Sequence, residues 1–358
     1  MSHFPHEAVP LLLDWYHHNR RDLPWRATRD PYRILVSEIM LQQTRAETVK
    51  PYYARFLSEL PTVKALAEAP EDVILKLWEG LGYYSRVRNL QKAAQAVIND
   101  HGGVIPADFD KLLSLPGVGR YTAGAVGSIA FDLPVPAVDG NVLRVAARIM
   151  GDEGDILTDT TKKRIETAIA PCVPTPSAGD FNQSLIELGA LVCLPGAAAK
   201  CHDCPLQLLC AAKREDRVEE LPVRIVKTKR KFADLTVLLL RVTDADGTDR
   251  YLIRRRPDTG LLSGLYEFPH VDGHATAEEV TAALTAEGAT VHDVSPLPEG
   301  KHIFTHVTWR MTGYLCDVTL PVETARGGLC HGILSDAADM TEKYAVPTAF
   351  SVYREWIS

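Results

Sequence analysis

The sequence predicts a chain of two parts, an all-helical region followed by an α+β unit, and three patterns indicate this fold class. Apolar residues recur at helical spacing from Ala8 to Cys193, with prolines and glycines where helices should end. A charged, proline-flanked stretch then occupies residues 213–231. Runs such as DLTVLLLRV and RYLIRRR follow it, and their composition is typical of β-strands.

Length and composition limit the class of protein. The chain of 358 residues is long enough for two or three domains, and its 46% of apolar residues indicates buried cores. It contains no apolar run of membrane-spanning length, and the short run near the N-terminus ends at Asp14, so we expect a cytoplasmic protein without a membrane partner. Residues 1–230 carry 28 Lys and Arg against 28 Asp and Glu, whereas residues 231–358 carry 11 against 18. The surplus acid lies in the C-terminal third, and this balance neither supports nor excludes DNA binding.

Four of the seven cysteines fall in one short window with the spacing C-x7-C-x2-C-x5-C: Cys193, Cys201, Cys204 and Cys210. In a reducing compartment such a cluster favours metal binding over disulfide formation. Four-cysteine zinc sites usually consist of two close pairs, and this window has one close pair and two outliers. The spacing therefore favours a 4Fe-4S cluster over zinc.

The segment LPGVGRYTAGAV places Gly117 and Gly119 in a tight turn between two helical patterns. Glycine permits a positive φ and a close backbone approach to a phosphate, and the next helix begins with free N–H groups. A plain helix-helix turn would show a similar short pattern. The longer string resembles the DNA-binding hairpin of the helix-hairpin-helix glycosylases, which favours phosphate binding.

Two carboxylates are candidates for acid-base and electrostatic chemistry. In VSEIMLQQT, Glu38 has mostly apolar neighbours three and four positions away, so burial should raise its pKa and suit it to act as a general acid. Helical glutamates are more commonly solvated. In VDGNV, Asp139 precedes a helical pattern, where it also fits an ordinary N-cap.

These motifs together resemble the MutY family of adenine DNA glycosylases, from about Leu11 to the linker. The resemblance implies that Glu38 protonates N7 of adenine and that Asp139 stabilises the sugar oxocarbenium ion, with Asn141 and Tyr121 supporting Asp139. Bifunctional relatives such as endonuclease III carry a Schiff-base lysine at the position of Tyr121. A phenol cannot form that imine, so the resemblance implies a monofunctional enzyme.

The same resemblance assigns residues to DNA and to the flipped base. The segment GLGYYSR matches the intercalating loop, with Tyr83 the preferred wedge over Tyr84. The assigned DNA-binding residues are Gln43, Tyr83, Gly117, Gly119, Arg120 and Lys200. Trp25 and Arg26 match a stretch that lines the adenine pocket. The loop between the first two cysteines has seven residues where the family has six, and Lys200 is its only basic residue.

The C-terminal segment RRRPDTGLLSGLYEFP resembles the Nudix-like domain of the same family. It lacks the glutamate array of Nudix hydrolases, so pyrophosphohydrolase activity is not expected. In the family this domain reads the oxidised guanine through a Phe-Ser-His loop. The corresponding residues are Phe304, Thr305 and His306, and the threonine retains the hydroxyl but adds a methyl group.

The complete prediction is a multidomain α and α+β protein: an all-helical helix-hairpin-helix glycosylase core with an iron-sulfur subdomain, plus a C-terminal Nudix-like α+β domain. The helical glycosylase region should span 1–212, with a six-helix module containing the hairpin at about 25–135. The N-terminal helix and about 136–212 should form the iron-sulfur subdomain. A linker at 213–231 and a lesion-recognition domain at 232–358 should complete the chain.

The predicted function is removal of adenine opposite 8-oxoguanine or guanine in double-stranded DNA, by a monomer that holds a 4Fe-4S cluster and acts in the cytoplasm at the nucleoid. Two alternatives stay open. One is an endonuclease III-like glycosylase for pyrimidine lesions, against which Tyr121 and the C-terminal domain both argue. The other is a non-catalytic iron-sulfur DNA-binding redox sensor, in which Glu38 would be dispensable.

Overall fold

The computed structural model describes residues 3–226, 230–321 and 327–357. The chain divides into two compact units, one made of Met1–Ala69 and Ser85–Val226 and the other of Pro70–Tyr84 and Lys227–Ser358. Residues 70–84, which the sequence places within the six-helix module, group with the C-terminal residues in this division. Residues 213–226, which make up most of the expected linker, group with the helical unit.

Twelve α-helices occupy the stretch from residue 3 to residue 226. They are α1 (Ala8–Asn19), α2 (Pro31–Leu41), α3 (Ala46–Glu59), α4 (Val63–Glu68), α5 (Glu71–Leu77), α6 (Ser85–Asp100), α7 (Phe109–Ser114), α8 (Arg120–Phe131), α9 (Gly140–Met150), α10 (Asp159–Ile169), α11 (Ala178–Leu191) and α12 (Ala211–Arg214). Short 3-10 turns lie at Pro24–Arg26, Ala170–Cys172, Gly196–Ala198, Cys201–Asp203 and Gln207–Leu209. All of these helices except α5 belong to the first unit.

Polar caps fix where the functional helices begin. The Asp30 side chain accepts the N–H groups of Tyr32 and Arg33 at the start of α2, where Pro31 occupies the first helical position. Asp139 caps α9 by accepting the Val142 N–H. These caps satisfy backbone donors that a helix cannot pair internally, so the ends of α2 and α9 are well defined.

The first unit is held together by close helix packing. One apolar cluster joins α1, α9 and α11 through residues such as Leu12, Ala146 and Leu185, all of them fully buried. Glycines allow the closest approaches. A side chain at Gly124 on α8 would collide with the backbone carbonyl of Pro136. A methyl group at that site would therefore push these two segments apart.

In residues 70–84, 230–321 and 327–357, the second unit contains a seven-stranded sheet together with α5 and three later helices. The strands are β1 (Lys231–Thr243), β2 (Asp249–Arg255), β3 (Tyr266–Glu267), β4 (His270–Asp272), β5 (Thr290–Ile303), β6 (Val307–Thr319) and β7 (Ile333–Ser335). The helices are α13 (Ala277–Ala286), α14 (Ala337–Glu342) and α15 (Ser351–Arg354). The strand order is β3-β2-β1-β6-β5, with β4 paired to β1 and β7 paired to β2.

Strand β1 is the centre of this sheet. It runs parallel to β6 from the Lys231↔Val307 pair to the Arg241↔Asp317 pair, and antiparallel to β2 and β4. Its alternate side chains enter different cores, with Val237 and Leu239 in one cluster and Leu238 and Leu240 in another. This strand is buried on both faces, which explains its nearly continuous apolar run.

The C-terminal segment differs from its prediction. The sequence predicts one amphipathic helix over Val346–Ile357, but the structure has a 3-10 turn at Thr348–Phe350 followed by the four-residue α15. Pro347 has extended backbone angles (φ -58°, ψ 148°). A proline disfavours helical geometry in the residue before it, so no helix forms at Val346.

Within residues 3–226, 230–321 and 327–357, no single helix has the length and apolar character needed to cross a bilayer. The segments Ala178–Leu191 and Gly196–Asp203 reach that length and apolar character only together, and the chain bends by 113° between them.

We predict that Gly124→Ala lowers the free energy of unfolding of the helical unit by about 1–3 kcal/mol, because the added methyl group overpacks the contact with Pro136. Urea denaturation followed by circular dichroism would measure the loss. The matched control is Gly140→Ala, since nothing lies within 4 Å of a side chain at Gly140. The control should leave stability within about 0.5 kcal/mol of the parent. Equal stability of the two variants would contradict the close-approach argument.

Candidate active site

A cavity of about 1120 Å³ lies within the helical unit and is lined by parts of α2, α8, α9 and α11 and by the loop after α2. Nine residues singled out from the sequence line it: Trp25, Arg26, Glu38, Gln43, Gly117, Gly119, Tyr121, Asp139 and Asn141. The fold therefore brings together side chains that are more than 100 positions apart in the sequence. Polar groups converging on one large cavity are typical of an active site.

Glu38 is buried on α2, with 6% of its surface exposed. The Tyr121 hydroxyl donates a hydrogen bond of 2.6 Å to its Oε2 atom. Burial raises the pKa of Glu38 to about 7, and the nearby charge of Asp139 adds to this shift, while the Tyr121 hydrogen bond opposes it. The carboxyl group therefore holds a proton near neutral pH.

Asp139 lines the same cavity and receives two hydrogen bonds. Its Oδ1 accepts the Val142 N–H at 2.8 Å and its Oδ2 accepts the Asn141 amide at 2.9 Å. Burial raises the pKa of Asp139, and both hydrogen bonds counteract that shift. The two interpretations of Asp139, a helix cap and a cavity group, are compatible because one oxygen caps the helix and the other is held by Asn141.

Tyr121 has a hydrogen-bond partner that the sequence does not predict. The resemblance implies that Asn141 and Tyr121 both support Asp139; Asn141 bonds to Asp139, and the hydroxyl of Tyr121 donates to Glu38. Tyr121 lies in the first turn of α8, and α8 packs against α2, which carries Glu38. Tyr121 therefore acts on the carboxyl group of Glu38 directly.

Glu187, which the sequence does not reveal as a site residue, holds two arginines that line the cavity. It is fully buried on α11, and its carboxylate accepts five hydrogen bonds of 2.7–3.0 Å from Arg21 and Arg26. Burial alone would raise the pKa of Glu187, but these donors outweigh it and lower the pKa to about 2. Arg26 is thereby fixed beside Trp25, which packs edge-on against Tyr53 at 5.5 Å.

The hairpin between α7 and α8 has the geometry that the sequence predicts. Gly117 has φ +74°, and a side chain there would lie 2.5 Å from Cβ of Asn89, so both the backbone angle and the space require glycine. Gly119 is the N-cap of α8 and supplies no side-chain cap. Arg120 is paired with Glu166 through its Nε atom at 3.0 Å.

Arg86 stabilises the loop after α2 and is a second residue that the sequence does not reveal as important. Its Nη1 donates to the carbonyl oxygens of Ile39, Met40 and Gln42 at 2.6–3.0 Å. These bonds satisfy the carbonyl end of α2. They also hold the residue before Gln43, whose own φ is +58°.

The four clustered cysteines line one small cavity with apolar residues of α9 and α11. Burial raises the pKa of Cys204 to about 12 and raises that of Cys210. Among residues 3–226, 230–321 and 327–357, no group of three or more His, Cys, Asp or Glu side chains surrounds the position of a single metal ion. Lys200, in the same segment, is exposed.

Two arginines of α9 connect the cysteine segment with the start of that helix. Arg144 donates to the Asn141 side chain at 2.9 Å and to the Cys193 carbonyl at 2.7 Å. Arg148 is buried, and its Nη1 lies 3.3 Å from the Cys193 sulfur. These residues recur along one face of α9, a spacing visible in the sequence although their partners are not.

The remaining predicted residues belong to the second unit. The tip of the β5–β6 hairpin carries exposed Thr305 and His306, and Phe304 packs edge-on against Trp309 at 4.9 Å. Phe304 therefore anchors the tip. The exposed Tyr83 places its hydroxyl 2.7 Å from Thr305 Oγ1, whereas Tyr84 is buried.

We predict that Glu38→Gln stabilises the protein more at pH 8 than at pH 5. The pKa of Glu38 is about 7 when folded against an ordinary value of 4.5, so between these pH values the unfolded chain loses a proton that the folded chain keeps. Each unit of rising pH then lowers the free energy of unfolding by at most about 1.4 kcal/mol. Urea denaturation at four pH values would measure this slope, which the variant should lack.

The opposite sign is expected for Glu187→Gln. The pKa of Glu187 is lowered to about 2, so its ionised form stabilises the folded chain above its ordinary value of 4.5, and this stabilisation is lost as the pH falls toward 2. The variant should be less stable than the parent at neutral pH, with the difference shrinking in acid. The same sign for both variants would contradict the two pKa directions.

Comparisons with known proteins agree with this architecture. The HhH-GPD superfamily of base excision DNA repair proteins matches residues 36–171, and a NUDIX domain matches residues 239–355. The adenine DNA glycosylase of Rattus norvegicus is 33% identical over 401 residues, covering 96% of this chain and 77% of the rat protein. The adenine DNA glycosylase of Buchnera aphidicola subsp. Baizongia pistaciae (strain Bp) is 33% identical over 304 residues, covering 83% of this chain and 82% of its own.

A solved structure resembles the helical part. The structure of a thermostable thymine-DNA glycosylase has a TM-score of 0.53 and 33% identity, and the likeness covers 58% of this chain and 96% of that one. The helical fold is thus shared among glycosylases. The two relatives named adenine DNA glycosylase extend over most of both sequences, including the C-terminal third of this one in the rat alignment. The chain therefore belongs to the adenine DNA glycosylase family.

Proposed function

We propose that this protein is a monofunctional glycosylase that hydrolyses the N-glycosidic bond of adenine opposite 8-oxoguanine or guanine in duplex DNA. The observation that carries the proposal is the pair of carboxyl groups that line one cavity, the buried Glu38 with a pKa of about 7 and the partly buried Asp139 with two hydrogen-bond donors. Two carboxyl groups in different environments divide the roles of acid and charge stabiliser.

The reaction follows from these roles. Glu38 donates its proton to N7 of adenine, and the bond between C1′ and N9 breaks with its electron pair going to the base. The ionised Asp139 faces the positive charge that develops on the sugar. Water then adds to C1′, and the Glu38 carboxylate accepts the proton that the water loses. The products are free adenine and an abasic site.

Tyr121 supports a glycosylase that removes the base without cleaving the strand. Its phenol is buried, its pKa is raised well above the usual range, and it donates to Glu38. It has no amine that could attack the sugar to form an imine. Strand cleavage through a Schiff base therefore has no nucleophile at this position.

DNA would contact the hairpin between α7 and α8, and it would contact Tyr83 and Thr305 of the second unit. The uncapped N–H groups at Gly119 and the start of α8 suit a phosphate, as does the close backbone approach at Gly117. Extrusion of the base needs a wedge, and the exposed side chain of Tyr83 supports that role. The exposed hydroxyl of Thr305 at a hairpin tip suits recognition of the opposite base.

We also propose that Cys193, Cys201, Cys204 and Cys210 hold a 4Fe-4S cluster. The fit rests on four thiols lining one mostly apolar cavity, with the Arg148 guanidinium beside Cys193. Thiols lose their protons when a metal cation binds them, so iron would compensate the charge of four thiolates. With the cluster bound, the four cysteines would be joined to one another, and the backbone of residues 193–210 would be held in one conformation.

The function is tested with duplexes that contain adenine opposite 8-oxoguanine. The protein should release free adenine, and the strand should break only after alkali is added. Glu38→Gln should lower single-turnover excision by at least about 100-fold while retaining duplex binding, because the general acid is lost. Glu68→Gln, an exposed helical glutamate, is the control and should match the parent. Excision of thymine glycol in place of adenine would support the pyrimidine-lesion alternative, and a fully active Glu38→Gln would remove the acid assignment.

The cluster is tested by metal content and colour. The purified protein should contain about four iron atoms per chain and absorb near ~400 nm. Cys204→Ser should lose both signals. Cys172→Ser is the control, because Cys172 is buried away from the cluster cavity and bonds to the Phe4 carbonyl. One zinc per chain in a colourless protein would contradict the cluster assignment.

A further inference from the structure

The segment Pro70–Tyr84 contains α5 and the loop that carries Tyr83, and it groups with the C-terminal residues as part of the second unit. The contacts that tie it there are concentrated at one side chain. Glu79 lies just before the loop, with 15% of its side chain exposed. The loop therefore starts at a largely buried carboxylate.

Three donors converge on the Glu79 carboxylate. Its Oε1 accepts the backbone N–H of Val346 at 3.2 Å and the Arg354 Nη1 at 2.9 Å. Its Oε2 accepts the Lys76 Nζ at 2.5 Å. Two cations and one fixed amide thus share one anion, and hydrogen bonds to a charged group are stronger than neutral ones.

The partners of Glu79 are themselves fixed to the sheet. The backbone N–H of Tyr266 on β3 donates to the carbonyl of Ala345, the residue before Val346, at 3.1 Å. Lys76 also donates to the Tyr344 carbonyl at 3.0 Å. The Val346 contact therefore joins the start of the loop to backbone that is itself hydrogen-bonded to β3, and the Lys76 and Arg354 side chains add to this attachment.

The other end of the loop reaches the β5–β6 hairpin. Gly80, Gly82 and Tyr83 have φ angles of +100°, +68° and +48°, so the backbone turns sharply between Glu79 and the tyrosine. The Trp78 indole N–H donates to the Gly82 carbonyl at 3.1 Å and holds this turn. The Tyr83 hydroxyl then lies 2.7 Å from Thr305 Oγ1. A non-glycine residue keeps a positive φ only where its surroundings fix it.

We propose that Glu79 is a positioning residue that fixes the Gly80–Tyr84 loop to the sheet of the second unit and so presents Tyr83 beside Thr305. Fixing at Glu79 and contact at Thr305 hold both ends of a short, sharply turned loop. The wedge and the lesion-reading hydroxyl then approach DNA as one preformed surface. This role rests on the proposed function for its effect on selectivity, but its structural part is independent of catalysis.

The following variants distinguish the loss of the Glu79 contacts from the general effect of removing one negative charge. In Glu79→Gln one acceptor oxygen is lost, and the new N–H groups point toward cationic or N–H donors. Glu71→Gln is the matched control, since Glu71 lies in the same segment and pairs with Arg255 at an exposed site. Arg354→Met removes one of the three donors, and Arg354→Lys restores a cation there.

The first readout is hydrogen exchange of the DNA-free full chain. Glu79→Gln should speed exchange in the peptide covering residues 80–84 by at least about 10-fold, and Arg354→Met should give a smaller increase that Arg354→Lys reverses. Glu71→Gln should match the parent. Unchanged exchange at residues 80–84 in Glu79→Gln would overturn the proposal, whatever the activity of the protein.

The second readout is the ratio of single-turnover excision rates with adenine opposite 8-oxoguanine and opposite guanine. Glu79→Gln should reduce this ratio at least about 5-fold, because the displaced loop weakens reading of the opposite base but leaves the cavity of Glu38 intact. An equal fall on both duplexes, with no change in the ratio, would show a merely structural role and overturn the positioning argument. A parent protein that releases no adenine would refute the proposed function alone, since the exchange result stands apart from it.

Discussion

The structure of the active site depends on keeping two carboxyl groups in one cavity while giving them unequal hydrogen bonding. Glu38 receives the phenol of Tyr121, whereas Asp139 receives a backbone N–H and an amide N–H. Donors stabilise the ionised form and burial destabilises it, so the carboxyl group with fewer donors keeps the proton. The arrangement requires α2, α8 and α9 to be fixed to within a fraction of a hydrogen-bond length. Side-chain caps at Asp30 and Asp139, and glycine packing at Gly124, provide that precision.

Helix α9 has two functions in this arrangement. Its first residues hold Asp139 and Asn141, and its later turns carry Arg144 and Arg148, which bond to the Cys193 segment. The cysteine segment therefore contributes to the same hydrogen-bonded network as the N-terminal end of the helix, which lines the cavity. A loop that is expected to contact DNA weakly, because only Lys200 is basic, is thus linked to the cavity.

Much of this arrangement was predictable from the sequence, for identifiable reasons. Glu38 was recognised because apolar neighbours at helical spacing indicate burial, and the central strand β1 because its apolar run is continuous. The same signal is weaker for Glu187 in α11, because Gln183 and Ser184 are among its neighbours at helical spacing. Its partners Arg21 and Arg26 lie more than 160 positions away, and spacing does not reveal them. The hydrogen bond from Tyr121 to Glu38 could not be predicted for a related reason, because only the packing of α8 on α2 determines it. The grouping of residues 70–84 with the C-terminal unit is likewise a tertiary property.

The buried cluster of Glu187 with Arg21 and Arg26 has a further consequence for the cavity beside it. With a carboxylate pKa of about 2 and two guanidinium groups, this cluster carries one net positive charge at every physiological pH. The charge of this cluster therefore stays constant while other groups of the cavity titrate. Within the neutral range, the charge lining the cavity therefore changes mainly when Glu38, with its pKa of about 7, gains or loses its proton. That single ionisation determines whether the cavity presents a neutral carboxylic acid or a carboxylate at this position.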